Sequence, residues 1–313
     1  FSEHSHGFRP KRSAHQAVAK AQQYIAAGNR WVVDLDLEKF FDRVNHDRLM
    51  ASISRRVTDK RMLQLIGAFL KVGVLENGLV SPAEEGTPQG GPLSPLLSNI
   101  VLDELDRELE RRKHRFVRYA DDCNIYVRSQ RAGQRVMNSV TGFLTRQLKL
   151  KVNETKSAVA RPVERKFLGF SFSNNKEPKR RIAPKAVLRC KQKIRALTRR
   201  TRGISLEQML KELTAYLRGW KSYFGFCQTP SVLKALDEWT RRRLRSMIWK
   251  QWKRGKQRYG QLRQRGVGKD LAAQTAGSPH GPWRVANSPA LSFALPIAYF
   301  DSLGLLRLSV GDA

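Results

Sequence analysis

The sequence predicts an α+β chain in which a small antiparallel sheet flanked by helices gives way to a basic all-α region. Three observations lead there. Helix and strand patterns alternate up to about residue 175, and two apolar runs meet at Asp121-Asp122 in the manner of a hairpin. After Asn174 the patterns are helical, and Lys176 to Arg265 carries 27 Lys and Arg against 5 Asp and Glu. A chain of 313 residues fits two domains, and the change of character divides it into 1–175 and 176–313.

The elements follow in order. Ala14, Ala17, Val18, Ala21 and Ile25 recur at helical spacing behind Ser13, a capping residue, and Gly28-Asn29 ends that helix. Trp31 to Asp36 reads as a short strand leading into a helix from Glu38 to Ile53, and a further helix covers about Asp59 to Val72. Gly86 to Pro95 must be a loop, because its three prolines and three glycines oppose regular structure; Ser94 or Pro95 then starts a helix to about Arg112. His114 to Ala120 and Cys123 to Arg128 are the hairpin strands, which put both carboxylates at the tip. A helix from about Ala132 to Leu148 precedes a strand or loop at Lys151 to Val159, and Lys166 to Phe172 alternates as a strand. The basic region holds helices near 184–200, 205–224 and 230–253, and the tail from Ser278 to Val310 is less regular.

Charge bounds the function. With 59 Lys and Arg against 27 Asp and Glu the formal charge is +32, which calls for a polyanionic partner bound through release of counterions from phosphates. A ribosomal-type protein that only binds RNA shares this composition. No apolar run approaches the roughly 18 residues of a membrane span, and the N-terminus lacks the layout of a secretory signal. Cys123, Cys190 and Cys227 are far apart and form no CxxC pair, so a reducing cytoplasm fits and neither zinc nor disulfides are indicated. The chain begins at Phe1 rather than Met, which points to a fragment or a truncated reading frame.

Three acidic groups carry the chemistry: Asp36 at a strand end, and Asp121 with Asp122 at the hairpin tip. Nucleic-acid synthesis commonly uses two divalent ions about 4 Å apart, one activating a 3′-hydroxyl and one stabilising the leaving pyrophosphate. Magnesium takes hard oxygen ligands, so these three Asp with a backbone carbonyl, here that of Leu37, suffice beside substrate phosphates. Singly, each element has a plainer explanation: an Asp-Asp turn is ordinary turn chemistry, and Asp36 could cap the following helix. The set is more telling: Asp34 to Asp42, then Pro88-Gln89-Gly90-Gly91-Pro92-Leu93-Ser94-Pro95, then Tyr119-Ala120-Asp121-Asp122, in that order.

On these motifs the chain resembles the reverse transcriptases. The resemblance implies a right-hand-like polymerase palm with partial fingers, in which Asp36, Asp121 and Asp122 hold two Mg²⁺ ions. It implies that Phe41 excludes a 2′-hydroxyl, although a buried core Phe is the competing reading, and that Asp34 has a supporting role. Gln89 and Gly90 would pack under the nucleotide, and Lys156, in Asn153-Glu154-Thr155-Lys156, would face the leaving phosphates or simply be a solvated lysine. Leu168 and Gly169, in Phe167-Leu168-Gly169-Phe170, resemble the turn that grips the primer end.

Within that family, Gly7-Phe8-Arg9-Pro10-Lys11-Arg12-Ser13 and the Pro88 to Pro95 segment look like bacterial group II intron proteins. Tyr216-Leu217-Arg218-Gly219-Trp220-Lys221-Ser222-Tyr223-Phe224 resembles their maturase-specific thumb, a basic helical element that binds intron RNA for splicing. Arg218 and Lys221 are candidate RNA contacts, and Arg241, Arg242, Arg243 and Arg245 stronger ones, since a solvated face needs no such run of one sign. Trp220 and Phe224, spaced four apart, are better placed to pack in the core. His280 to Arg284 and Pro296 to Tyr299 match the family's C-terminal region weakly. There is no Cys/His cluster after it, so no metal-dependent endonuclease domain is expected. The family's first fingers segments, with their triphosphate-binding basic residues, would lie before Phe1. The resemblance thus implies an RNA-directed DNA polymerase with maturase activity, acting on dNTPs, an RNA template, a DNA primer and intron RNA in a bacterial cytoplasm, associated with the nucleoid or a ribonucleoprotein. The alternative is an RNA-binding splicing factor whose polymerase fold no longer catalyses.

Overall fold

Helix α1 (Ala14–Ala26) opens on a capping box, in which Ser13 Oγ accepts from the Gln16 amide and the Gln16 side chain returns to the Ser13 amide. The computed structural model describes residues 1–71, 74–76, 79–81 and 91–309. The chain divides into two compact units, Phe1–Arg180 and Arg181–Ala313.

In the first unit the elements after α1 are β1 (Trp31–Leu35), α2 (His46–Ser54), α3 (Lys60–Lys71), β2 (Val74–Glu76), β3 (Leu79–Ser81) and α4 (Ser94–Arg111). They continue with β4 (Arg115–Tyr119), β5 (Asp122–Val127), α5 (Gln130–Phe143), β6 (Ala158–Ala160) and β7 (Phe170–Phe172). Four strands form one antiparallel sheet in the order β4-β5-β1-β6, while β2 and β3 pair separately. Leu35 stands opposite Cys123, and Tyr119 opposite Asp122.

The two-residue period of a strand sorts this sheet into faces. Val33, Leu35, Cys123, Ile125 and Val127 enter one core with Leu102, Leu105 and Leu109 of α4 and Val140 of α5. Each such aliphatic side chain contributes about 1.5–3 kcal/mol on burial. Asp34, Asp122, Asn124 and Tyr126 therefore share the opposite face, where Tyr24 of α1 lies 5.9 Å from the Tyr126 ring.

Three predicted elements differ. The single helix expected from Glu38 to Ile53 is broken: Lys39 adopts a left-handed conformation, a 3₁₀ turn spans Phe40–Arg43, and α2 starts only where Asn45 accepts the Arg48 amide. The helix expected from Ala132 to Leu148 starts earlier, after the Ser129 cap, and its last turn, Leu144–Leu148, is a π-helix. The strand expected over Lys166 to Phe172 is a tight turn followed by β7, because Leu168 and Gly169 both have positive φ while Phe167 and Phe170 exchange backbone hydrogen bonds.

β8 (Arg180–Ile182) lies at the division between the units. The second unit is helical: α6 (Pro184–Leu197), α7 (Leu206–Phe224), α8 (Pro230–Gln251), α9 (Gly255–Gln264) and α10 (Lys269–Ala276). The tail forms short helices α11 (Pro282–Val285), α12 (Pro289–Ala294) and α13 (Ile297–Ser302). Pro begins α6, α8, α11 and α12, where its missing N–H costs nothing. Ile194, Leu213, Leu244, Trp249 and Phe300 meet in the core, and Trp220 with Phe224 packs into it as expected. Asp237, buried, accepts from the amides of Leu308 and Ser309 and so ties the tail to α8. Among the described residues no helix is long and apolar enough to cross a membrane.

Candidate active site

The carboxylates gather at one end of the sheet because β1 and β5 are adjacent and antiparallel. Asp36 follows the last residue of β1, Asp122 begins β5, and Asp121 sits in the two-residue turn from β4. Asp34 and Asp36 point the same way by the strand period. The crowding has an electrostatic signature: burial, then the charges of Asp34, Asp121 and Asp36, push the Asp122 carboxyl up to about 7.

Arg165 and Lys156 moderate the crowd, and the charge of Lys166 acts in the same direction on Asp34 and Asp122. Arg165 reaches Asp34 through Nη2 at 2.6 Å and Nε at 2.7 Å, opposing the upward shift that burial gives the Asp34 carboxyl. Lys156 Nζ lies 3.6 Å from Asp36, a pair largely open to solvent. Asn153 builds the turn that presents Lys156, its side-chain oxygen accepting from Thr155 and its amide donating to the Asp36 carbonyl at 2.8 Å. Among the described residues no three His, Cys, Asp or Glu side chains are gathered closely enough to chelate an ion as they stand. The donor chemistry nevertheless suits a divalent cation. Its side-chain donors are carboxylates whose mutual repulsion a cation would relieve. In addition, the bonds from Glu38 to Lys151 and from Asn153 to Asp36 flank Leu37 and leave its carbonyl outside the ladder.

The turn itself rests on a buried arginine that sequence reasoning missed. Arg118, fully buried on β4, uses all five of its N–H donors. Nε and Nη2 clasp Asp106 at 2.7 and 2.6 Å, Nη2 also reaches Ser5 Oγ, and Nη1 meets Asn99 Oδ1 and the Ala120 carbonyl at 2.9 and 2.7 Å. Ala120 holds φ of 56°, a strained conformation for a residue with a Cβ, and the bond to its carbonyl secures it. Gly7 packs onto the same turn so closely that a Cβ there would stand 2.2 Å from the Ala120 nitrogen, and its carbonyl accepts from Asn99. One signal was available: Asn99 and Asp106 interrupt the stripe that Leu102, Leu105 and Leu109 make on α4. For Arg165, 131 residues from Asp34, there was none.

The other candidates fall as follows. Phe40 is the buried core residue, whereas Phe41 is half-buried beside it, ring centroids 5.4 Å apart. Gln89 and Gly90 lie outside the described residues. Leu168 and Gly169 form the turn before β7. Arg218 is exposed on α7, and Lys221 is one turn on. The arginine row of α8 is largely engaged within the protein. Arg242 stacks over Trp283 at 4.3 Å and donates to its carbonyl, Arg243 donates to Thr198 Oγ1, and Arg245 donates to the Leu295 carbonyl at 2.9 Å. Arg241 makes no side-chain hydrogen bond among the described residues.

An antiparallel sheet with acids converging at the hairpin end is a polymerase-palm arrangement, and comparison with known proteins agrees. The family profile of reverse transcriptase (RNA-dependent DNA polymerase) matches residues 1–172, more than half of the chain, and that of the group II intron maturase-specific domain matches residues 187–266. The chain belongs to the reverse transcriptase family, in its group II intron-encoded maturase branch. Protein YkfC of Escherichia coli is 33% identical over 193 residues, covering 50% of this chain and 51% of YkfC. Group II intron-encoded protein LtrA of Lactococcus lactis is 45% identical over 118 residues, covering 38% of this chain and 20% of LtrA. The chain thus spans about half, or less, of these relatives. The apo telomerase structure from Candida tropicalis shares 13% identity at a TM-score of 0.47, covering 96% of this chain and 57% of that one.

Proposed function

We propose that this chain extends a DNA primer on an RNA template with dNTPs, and that its basic helical region binds intron RNA and assists its splicing. The observation that carries the reading is the convergence of Asp36, Asp121 and Asp122 at one sheet end, set by the pairing of β1 and β5 and the turn from β4; burial, then the charges of Asp34, Asp121 and Asp36, raise the Asp122 carboxyl there. Residues 1–175 serve as palm and partial fingers, and 176–313 as thumb and maturase region. Two Mg²⁺ ions, held by Asp36, Asp121, Asp122 and the Leu37 carbonyl, would activate the primer 3′-hydroxyl and neutralise charge on the leaving pyrophosphate.

The chain's own groups do the rest. Arg165 pairs with Asp34 and opposes the upward shift that burial gives its carboxyl, and the Arg118 clasp secures Ala120 in the turn from which Asp121 and Asp122 follow. Lys156 acts as cation or proton donor for the leaving phosphates. Phe41, half-buried, excludes a 2′-hydroxyl, and Leu168 and Gly169 hold the primer end. Arg218, Lys221 and Arg241 meet intron RNA, while Arg242, Arg243 and Arg245 shape the surface that does so.

Primer extension with dNTPs and Mg²⁺ on an RNA template tests this reading. Extension should require Mg²⁺ and vanish in Asp121→Ala with RNA binding retained. Failure of the unaltered chain to extend any primer while still binding RNA would replace it with the splicing-factor reading.

A further inference from the structure

The sheet's other end is as basic as the first is acidic. There the C-terminus of α4, the start of β4 and the passage from β5 into α5 surround an open cavity of about 760 Å³. Its wall carries Arg111, Arg112, Lys113, Arg115, Arg128 and Arg135, and no Asp or Glu. Glu108 pairs with both Arg111 and Arg112, so one carboxylate answers two guanidinium groups. The side chains of Lys113, Arg115, Arg128 and Arg135 have no carboxylate or hydrogen-bond partner among the described residues. Four such cations around one concavity repel each other and do nothing for the fold, unlike Arg118 or the arginines of α8.

Lys113 adds an independent sign. It is the second residue past α4, directly after the C-cap residue Arg112, with φ of 57°, and the bonds Lys113 N–H to Glu110 O and His114 N–H to Leu109 O make the left-handed helix end that glycine favours. A lysine is held there against its own backbone preference.

We propose that this cavity is a second nucleic-acid site, which seats the phosphate backbone of an RNA segment other than the one being copied. The cations are spread over three segments, more than one small anion can engage, and the cavity is open enough for a strand. From Asp122 to Val127 the strand runs roughly 17 Å at ~3.4 Å per residue, so RNA held here is distant from the carboxylates. The choice of RNA as the polyanion rests on the function proposed above; the site itself does not.

Equilibrium binding of fluorescein-labelled single-stranded and duplex RNA, followed by anisotropy across a salt series, tests it. Lys113→Gln, Arg128→Gln and Arg135→Gln together should weaken binding about tenfold and lower the salt slope by about two, at ~0.7–0.9 for each phosphate no longer neutralised. An equal neutralisation of exposed Arg56, Lys60 and Arg61 should cost much less; equal losses, or none in the cavity variant, would overturn the proposal. The two RNA arms tell which form is seated. Lys113→Gly gives a sharper reading, because it should raise the melting temperature and weaken RNA binding at once. Binding left unchanged by Lys113→Gly would sink the idea. Neither measurement involves catalysis, so an inactive polymerase would refute the proposed function and leave this site standing.

Discussion

Asp121-Asp122 and the arginine row of α8 were both legible as charge clusters, but the fold treats them oppositely. At the hairpin, like charges are brought together and kept there: burial, then three neighbouring carboxylates, push the Asp122 carboxyl up while Arg118, Arg165 and Lys156 hold the surroundings. On α8, three of the four arginines each direct one or two donors to oxygens of Trp283, Thr198, Arg195 or Leu295. A charge cluster therefore signals an outside ligand only where the fold leaves it unanswered, and the partners that answer it are remote in sequence.

The largest expected effect comes from removing the support beneath the turn. Arg118→Met leaves Asp106 buried without its partner and should lower stability by about 3–5 kcal/mol in urea unfolding. A loss below ~1 kcal/mol would mean that the buried clasp is dispensable. Next, Arg242→Ala deletes hydrogen bonds to a carbonyl and a cation–π stack, for about 1–2 kcal/mol of stability. Arg218→Ala should leave stability unchanged and reduce RNA affinity. The contrast fails if Arg242→Ala weakens RNA binding more than it weakens the fold. The smallest effect belongs to Lys156→Ala: its pair with Asp36 is open to solvent, so chemical denaturation should move by at most ~0.5 kcal/mol. A larger shift would make that pair structural.

Local rules were read reliably. Ser13 caps α1, Asp121-Asp122 closes a hairpin, and helices fall close to their expected places in the basic region, because capping, turn chemistry and the 3.6-residue period act over a few residues. Misreadings came where two local signals met. Glu38 to Ile53 has helix-forming composition throughout, yet Lys39 and Asn45 interrupt it, and Leu168-Gly169 turns back inside an apolar run that alternated plausibly.

By itself, the sequence determined the hairpin at Asp121-Asp122, the mixed first region and the basic helical second one, since each depends on neighbours a few residues away, while the grouping of Asp36 with that hairpin was what the resemblance to the reverse transcriptases implied. Only the tertiary structure decided which cations stay unanswered, that Arg118 carries the turn through Asp106 and Asn99, and that Arg165 attends Asp34. Those outcomes depend on long-range packing, which selects a side chain's partner from the whole chain and leaves no period in the sequence to reveal the choice.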